Sequence, residues 1–417
     1  MNRVRNLLIR VTGGRVGRAT AWSYASVGLS TFVGVFSARI LLPEGRGHLA
    51  LILTMAGMAA LISALGTNIS IRRLLPQDPD VSIAGYWRTS RYLLLVLLPL
   101  LCGSFIVLAA LTEVPSRPVI FAMFLSYGIM IYWSNQSLDL MYALGLPVQA
   151  TRTNAIGTAV TLCSIVTCAL IDAGLMGVGL AYALGAATNV CVSRMTVGRA
   201  AVSDSRPAQG ERRLVAQGSR LMGMTLGQVL ATRADTVILG AMAPPAQVGY
   251  YAVSVSPAGL LRLPAAALGQ VIMHDAASGQ VSRKVAFKRT GVIWVASVVP
   301  AAVGVAGAPW ILPFIYGPSF AGAVPAFQVL LIAEMCFIPF LVLSRVVAAR
   351  GDSLGASAAG LIGVVVLVVA AIALIPGRGA LGAAWASALA YFSMSLTACY
   401  FAARNPGSEN RGIGPPK

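Results

Sequence analysis

Charge is scarce in this sequence, and acidic charge is scarcest. Only 11% of its 417 residues are charged, with 13 Asp and Glu against 31 Lys and Arg, where a water-soluble protein carries about 25%. Most of the chain therefore does not face water. Histidine is nearly missing: the two present, His48 and His274, are too few for a metal site. The six cysteines (Cys102, Cys163, Cys168, Cys191, Cys336 and Cys399) lie inside apolar runs, and no pair has zinc or redox spacing, so they read as small buried hydrophobes. A phosphate loop, HExxH, GxSxG and the kinase motifs are all absent. So are zinc-finger spacing and an aromatic RNA-binding motif, which removes nucleic acid as the explanation of the basic balance. No long polar segment could fold as a nucleotide site or as a large outer domain. The expectation is a protein that is not an enzyme and uses no cofactor or metal. The start carries five arginines between Met1 and Arg18 but leads into a full-length apolar span, which does not read as a cleavable signal.

What is present is apolar sequence. Hydrophobic residues make up 57% of the chain and mean hydropathy is +0.79. Apolar segments fall at 19–41, 47–71, 91–112, 118–143, 151–171, 173–195, 219–241, 248–272, 288–316, 323–345, 356–376 and 380–403, each long enough to cross a bilayer as a helix. Gly, Ala and Ser are frequent in them, as close helix packing in lipid requires. The basic residues test this assignment. With both termini in the cytoplasm, Arg46, Arg117 and Arg378 are the basic residues of outside loops, while Arg39, Arg233 and Arg262 lie within spans and all the others fall on inside segments. That asymmetry is what the positive-inside rule produces.

The most polar interior stretch, 196–218, contains Asp204, Arg206, Glu211, Arg212 and Arg213. It is expected to be a cytoplasmic linker between an N-terminal six-helix bundle, 1–195, and a C-terminal one, 219–404. The tail 405–417 is rich in Pro, Gly and charge and is expected to be disordered. The halves resemble each other. Gly174-Leu-Met-Gly177 recurs as Gly379-Ala-Leu-Gly382, Ala143-Leu-Gly145 as Ala349-Arg-Gly351, and Gly47-His-Leu-Ala50 as Gly249-Tyr-Tyr-Ala252. With an even number of spans in each half, such a repeat is parallel. The fold class expected is thus an all-α integral membrane protein: about twelve transmembrane helices in two parallel six-helix bundles around a central cavity, a transporter architecture.

Ionisable residues inside spans are costly, on the order of 2.5 to 3.5 kcal/mol each on insertion scales, and so become candidate functional residues. Arg233 and Asp235, two residues apart on one helix, point about 200° apart and cannot pair with each other. Arg262 and Glu334 lie in the eighth and tenth spans. One reading makes them a structural strut; the other has arginines hold an anion while an acid carries the coupling proton. Asp139 closes a polar stretch, Trp133 to Asp139, suited either to an inner vestibule or to snorkelling with Arg152 as partner. Arg39 can snorkel at an outer end. Substrate-binding candidates are therefore Arg233, Asp235, Arg262, Arg72 and Arg39, and coupling-ion candidates Glu334 and Asp139. The aromatics Trp22, Tyr24, Trp87, Tyr92, Tyr250, Tyr251, Trp310 and Tyr316 read as an interface belt. Physics alone leaves the sign of the substrate open, because three arginines face three acids within the spans.

A family resemblance bears on that point. Ala38-Arg39-Ile-Leu-Leu-Pro43-Glu44-Gly45-Arg46-Gly47 is similar to the opening motif of bacterial polysaccharide flippases. Arg233-Ala-Asp235-Thr-Val-Ile-Leu-Gly240 with Val248-Gly249-Tyr250-Tyr251-Ala252-Val253 resembles their seventh and eighth spans. Leu312-Pro-Phe-Ile-Tyr-Gly317-Pro-Ser-Phe320, Ala349-Arg350-Gly351 and Gly379 to Gly382 resemble their later turns. The order holds along nearly the whole chain. The resemblance is to the oligosaccharide (O-antigen, Wzx-type) flippase group of the multidrug/oligosaccharidyl-lipid/polysaccharide exporter superfamily. It implies alternating access and movement of a polyprenyl-pyrophosphate-linked glycan from the inner to the outer leaflet of the cytoplasmic membrane. Arg233 then becomes the leading diphosphate ligand, with Arg72 and Arg262 behind it. A lipid-linked glycan, the bilayer and glycan polymerase or ligase machinery are the implied partners, and one chain suffices for a cavity. The alternative is an H⁺- or Na⁺-coupled drug or metabolite exporter of the same superfamily. One departure is noted: Leu41-Leu42-Pro43 stands where the family usually has Leu-Gly-Pro, a change expected to be mild.

Overall fold

A computed structural model describes residues 15–78, 80–112, 114, 117–203, 210–266, 268–269, 272, 282–349 and 352–404. The tail expected to be disordered, 405–417, lies outside the described residues, as do His274 and the Arg350-Gly351 pair. Among the described residues the secondary structure is helical. The helices are α1 (Arg15–Ser63), α2 (Thr67–Gln77), α3 (Ile83–Tyr92), α4 (Leu94–Leu111), α5 (Pro118–Ala143), α6 (Pro147–Leu170), α7 (Gly174–Ser203), α8 (Glu211–Met242), α9 (Pro245–Ala258), α10 (Arg283–Tyr316), α11 (Val324–Ala349) and α12 (Ser353–Arg404). Short 3₁₀ turns at Gly259–Arg262 and Pro318–Ala323 follow α9 and α10.

Eight described helical stretches are long and apolar enough to cross a membrane. Two of them are helix pairs run together. The backbone of α1 turns at Leu42 and that of α12 at Gly379, both with positive φ. At 43 and 51 residues, Ala21–Ser63 and Leu354–Arg404 are each long enough for two crossings at about 20 residues per crossing. With α8 and the α9 region, too polar or too short to count among the eight, the helices accommodate the twelve segments read from the sequence. The chain is a multi-pass α-helical membrane protein.

The chain divides into two compact units, Met1–Gly223 and Met224–Lys417. The boundary falls inside α8, and the stretch read as a linker is largely helix: Thr196 to Ser203 ends α7, and Glu211 to Gly218 begins α8.

In the first unit, Pro118 and Pro147 start α5 and α6 at helix N-termini, where the missing N–H costs nothing. Gly157 on α6 and Gly185 on α7 bring two backbones together: a Cβ on either would sit 2.7 Å from the other's carbonyl oxygen, so only glycine permits this approach. In the second unit, α11 is the most enclosed span, with Phe337 stacked on Tyr391 at 4.3 Å and Ile338, Val342 and Leu343 buried around it.

The repeat has a structural counterpart. Gly174 and Gly379, 205 positions apart in the sequence, both adopt left-handed backbone, φ 55° and 53°, which glycine takes without steric cost. The departure at Leu42 is not mild. Its φ of 57° and ψ of 178° fall in a region that is essentially glycine's alone, with a cost of order 1–3 kcal/mol for other residues.

Candidate functional site

Each unit holds an arginine–carboxylate pair that involves candidate residues read from the sequence. In the first, α2 presents Arg72 and α5 presents Asp139. Arg72 Nε donates to Asp139 Oδ1 at 2.9 Å, and Nη2 bonds the same oxygen. The guanidinium also lies over the Tyr142 ring, 4.4 Å from its centroid. Half of the Arg72 side chain is exposed, whereas Asp139 is 10% exposed. Asp139 is thus paired with Arg72, and Arg152 is an exposed residue on α6.

Much of the polar stretch before Asp139 is buried. Ser134, Gln136 and Ser137 are buried, and the first two knit the bundle together. Tyr86 Oη donates to Gln136 Oε1 at 2.6 Å. Gln136 Nε2 donates to Tyr132 Oη at 3.1 Å, and Tyr132 Oη to the Ser90 carbonyl at 2.8 Å. Asn189 of α7 donates to Ser134 Oγ at 3.1 Å. Buried polar groups need such partners, and here side chains of α3, α5 and α7 supply them to one another.

In the second unit the pair is Arg262, in the 3₁₀ turn after α9, with Glu334 of α11: Arg262 Nη1 lies 3.2 Å from Glu334 Oε1. Glu334 is 2% exposed. Its other oxygen, Oε2, is buried and has no hydrogen-bond partner among the described residues. Beside this pair sits Asp235, also 2% exposed. Tyr251 Oη donates to Asp235 Oδ2 at 2.5 Å and Ser387 Oγ at 3.1 Å, while Thr236 Oγ1 reaches Oδ1 at 3.2 Å. The buried Tyr391 interacts with Arg262, Glu334 and Asp235 alike. Helices α8, α9, α11 and α12 thus converge on one buried cluster containing two carboxylates and one guanidinium.

Arg233, two residues before Asp235, projects elsewhere. It is exposed, and among the described residues no carboxylate pairs with it. Arg39 is exposed beside the α1 kink. The structure therefore joins Arg72 to Asp139 and Arg262 to Glu334, sets Asp235 among hydroxyls, and leaves Arg233 and Arg39 apart from both pairs.

Two sequence readings are corrected. Tyr251, assigned to the interface belt, is fully buried because its hydroxyl serves Asp235; its place one residue after the half-buried Tyr250 gave no warning. Arg46, read as an outside-loop residue, is 7% exposed, and its Nε and Nη1 have no partner among the described residues. Its position directly after Pro43-Glu44-Gly45, at the start of a helix, was a signal that a loop was too short to hold it.

At the basic end of the first unit, the start of α8 is tied down. Arg213 Nη1 donates to Asp78 Oδ2 at 2.9 Å and Asp80 Oδ2 at 3.0 Å. Arg88 Nε lies 3.3 Å from Glu211 Oε1, and Ser70 Oγ donates to the Leu214 carbonyl at 2.9 Å. The Asp80 backbone N–H, and then the Arg213 guanidinium, hold the Asp78 carboxyl below its usual range. No group of three or more metal-ligating side chains occurs among the described residues.

The fold is shared with solved membrane proteins. The chain superposes on an inward-facing multidrug resistance MATE family transporter of the MOP superfamily, with a TM-score of 0.68 at 12% identity, covering 95% of this chain and 96% of that one. It is also similar to the lipid II flippase MurJ in an inward closed conformation, with a TM-score of 0.74 at 12% identity over 92% and 86% of the two chains. A MATE transporter from Vibrio cholerae gives 0.57 at 13% identity over 93% and 97%. No curated protein sequence matches the chain. Residues 19–273 match the family model described as polysaccharide biosynthesis protein. This is more than half of the sequence, and the chain belongs to that family.

Proposed function

We propose that this protein is a flippase that moves a polyprenyl-(pyro)phosphate-linked oligosaccharide from the inner to the outer leaflet of the cytoplasmic membrane, by alternating access, for surface polysaccharide assembly. Membership of the polysaccharide biosynthesis family supports the glycan, and the shared fold with a lipid II flippase supports a lipid-linked one. The observation that carries the reading is Arg233. It is a guanidinium on α8, exposed and without a carboxylate partner among the described residues, and its planar fork of donors matches a diphosphate. Arg72 and Arg262 are already engaged by acids and are secondary ligands at most.

In this reading Glu334 is the coupling acid. Its Oε1 neutralises Arg262, and its unpartnered Oε2 is the atom on which a proton would reside when the carboxyl is neutral. Asp235 remains a positioning acid, because four donors, the Tyr251, Ser387 and Thr236 hydroxyls and the Thr236 N–H, already occupy it.

The test is performed in cells depleted of the protein. An impermeant probe of the outer face should show polyprenyl-linked glycan confined to the inner leaflet. Re-expression should restore the outer pool, and Arg233→Ala should not, although that variant inserts and melts like wild type. An unchanged glycan distribution after depletion would reject the flippase and favour the ion-coupled exporter, for which the buried Glu334 would be the central group. Normal transport by Arg233→Ala would reject the diphosphate assignment alone.

A further inference from the structure

Three basic residues at one end of the first unit have carboxylate partners: Arg72 with Asp139, Arg88 with Glu211, and Arg213 with Asp78 and Asp80. Arg73 is exposed beside them. Two others behave differently. Arg91 on α3 and Arg194 on α7 line a pocket of about 250 Å³ together with Trp87, Trp133, Val197 and Gly198. Among the described residues no carboxylate pairs with either.

The two indoles form the pocket's wall. Trp87 and Trp133 lie 5.8 Å apart, centroid to centroid. The Arg194 guanidinium sits 5.8 Å from one ring and 5.5 Å from the other. Contact with aromatic faces fixes the guanidinium while leaving its edge donors unused. Trp87 and Arg91, four residues apart, share a face of α3, so the second guanidinium is brought to the same opening. Gly198 contributes no side chain there, and Val197 is buried. The result is a cleft with aromatic walls and two unneutralised guanidinia.

The same helix faces continue into an apolar groove of about 840 Å³. Its lining includes Ser126 and Met130 of α5, about two turns and one turn before Trp133, and Leu184 and Ala187 of α7, about three and two turns before Arg194. Positions 126, 130 and 133, like 184, 187, 191 and 194, follow one helical stripe. Leu180, Leu184 and Met195 along the α7 stripe are exposed, as befits a surface that faces hydrocarbon chains. A basic, aromatic cleft at the end of an apolar groove has the shape of a lipid: phosphate at one end, hydrocarbon along the rest.

We infer that Trp87, Arg91, Trp133 and Arg194 form a binding site for an anionic glycerophospholipid of the membrane, its phosphate held between the two guanidinia and an acyl chain lying in the α5–α7 groove. The inference is independent of what the protein transports. The charge pattern assigns this end of the bundle to the cytoplasm, where the leaflet surface is negative and basic pockets between spans recruit anionic headgroups. Charge selects among phospholipids. A headgroup carrying its own ammonium would set that cation beside Arg91 and Arg194, whereas phosphatidylglycerol presents only the anion and hydroxyls.

The site is tested on the detergent-purified full chain by native mass spectrometry. Phosphatidylglycerol and phosphatidylethanolamine of matched acyl chains are titrated, alone and against each other. One phosphatidylglycerol should be retained at least about tenfold more tightly than phosphatidylethanolamine. Arg91→Gln and Arg194→Gln should each bring the two lipids to parity with unchanged melting temperature, and Arg194→Lys, which keeps the charge without the fork, should fall between. Trp133→Leu should weaken both lipids. Equal retention of the two lipids by the wild type, or unaltered selectivity in both glutamine variants, would overturn the site. Competition separates the sources of phosphate. Displacement by millimolar inorganic phosphate would overturn the lipid assignment, and preferential displacement by a polyprenyl phosphate would reassign the site to the carrier lipid. Should a glutamine variant fail to fold, these competitions on the wild type decide the question.

Discussion

The two units treat the same chemistry in opposite ways. Each joins an arginine to a carboxylate across helices. In the first unit about half of Arg72 is exposed while it holds Asp139; in the second, Arg262 is 29% exposed and Glu334 only 2%. Both carboxylates are withdrawn from water and depend on a partner; the difference lies in the arginine, which water half solvates in the first unit and largely loses in the second. The units also differ at their long kinked helices. The first turns at Leu42 and the second at Gly379, both with positive φ. In the second unit the residue suits the turn; in the first the turn is forced on a leucine. The second unit therefore holds its buried acids tightly and turns without strain, although it leaves Arg233 exposed, and the first is the one that tolerates strain and a half-solvated arginine.

The largest effect expected from breaking this contrast is at Glu334. Glu334→Ala strands Arg262 and should destabilise the protein by about 3–5 kcal/mol. Asp139→Ala should cost about 1 kcal/mol, because the Arg72 it leaves behind is already half solvated. Melting temperatures of the purified variants give the comparison directly. Equal losses at the two sites would mean that the units do not differ in the way their exposures suggest.

Next in size are the kinks. Leu42→Gly should stabilise the protein by about 1–2 kcal/mol, by removing a conformation that only glycine adopts freely. Leu42 is more than half exposed, so little packing is lost. Gly379→Ala should do the reverse, since its Cβ would also meet the Gln247 side chain. A Leu42→Gly variant that melts lower than wild type would contradict the strain reading.

The smallest effect concerns the start of α8. Asp78, held below its usual carboxylate range by the Asp80 N–H and by Arg213, favours the docked state at neutral pH. For an acid whose folded value is depressed, that contribution is present above its unfolded value and disappears as pH falls through the folded one. Hydrogen exchange or limited proteolysis at Glu211 to Gly218 should therefore increase at acid pH, in high salt and in Arg213→Gln. Exchange indifferent to all three would remove the ionic contribution and leave Ser70 with Leu214 as the tie.

The resemblance motifs illustrate how far local reading reaches. The stretch from Arg233 to Gly240 marked a functional helix, and its i,i+2 spacing correctly separated Arg233 from Asp235. Nothing local indicated that Asp235 would find Tyr251 and Ser387, which lie 16 and 152 residues away. Likewise Trp87 and Trp133 read as separate interface and vestibule residues; only the packing of α3 on α5 and α7 set them as two walls of one pocket. The Leu-for-Gly change at position 42 was visible as a departure, but its cost depends on a backbone angle that composition does not contain.

The sequence by itself determined the solvent of this protein and the sites of its spans. Those properties are set by transfer free energies that each segment carries on its own, so they can be summed along the chain. Its glycine turns were legible for the same reason, because a positive φ is a demand on one residue. The tertiary structure alone decided which arginines are neutralised, which are left with open donors, and which acids are buried. A charge in a membrane helix must be satisfied by whatever group the fold brings within about 3 Å. The partners of Asp139 and Asp235 lie up to 152 residues away, a separation over which no local pattern carries information.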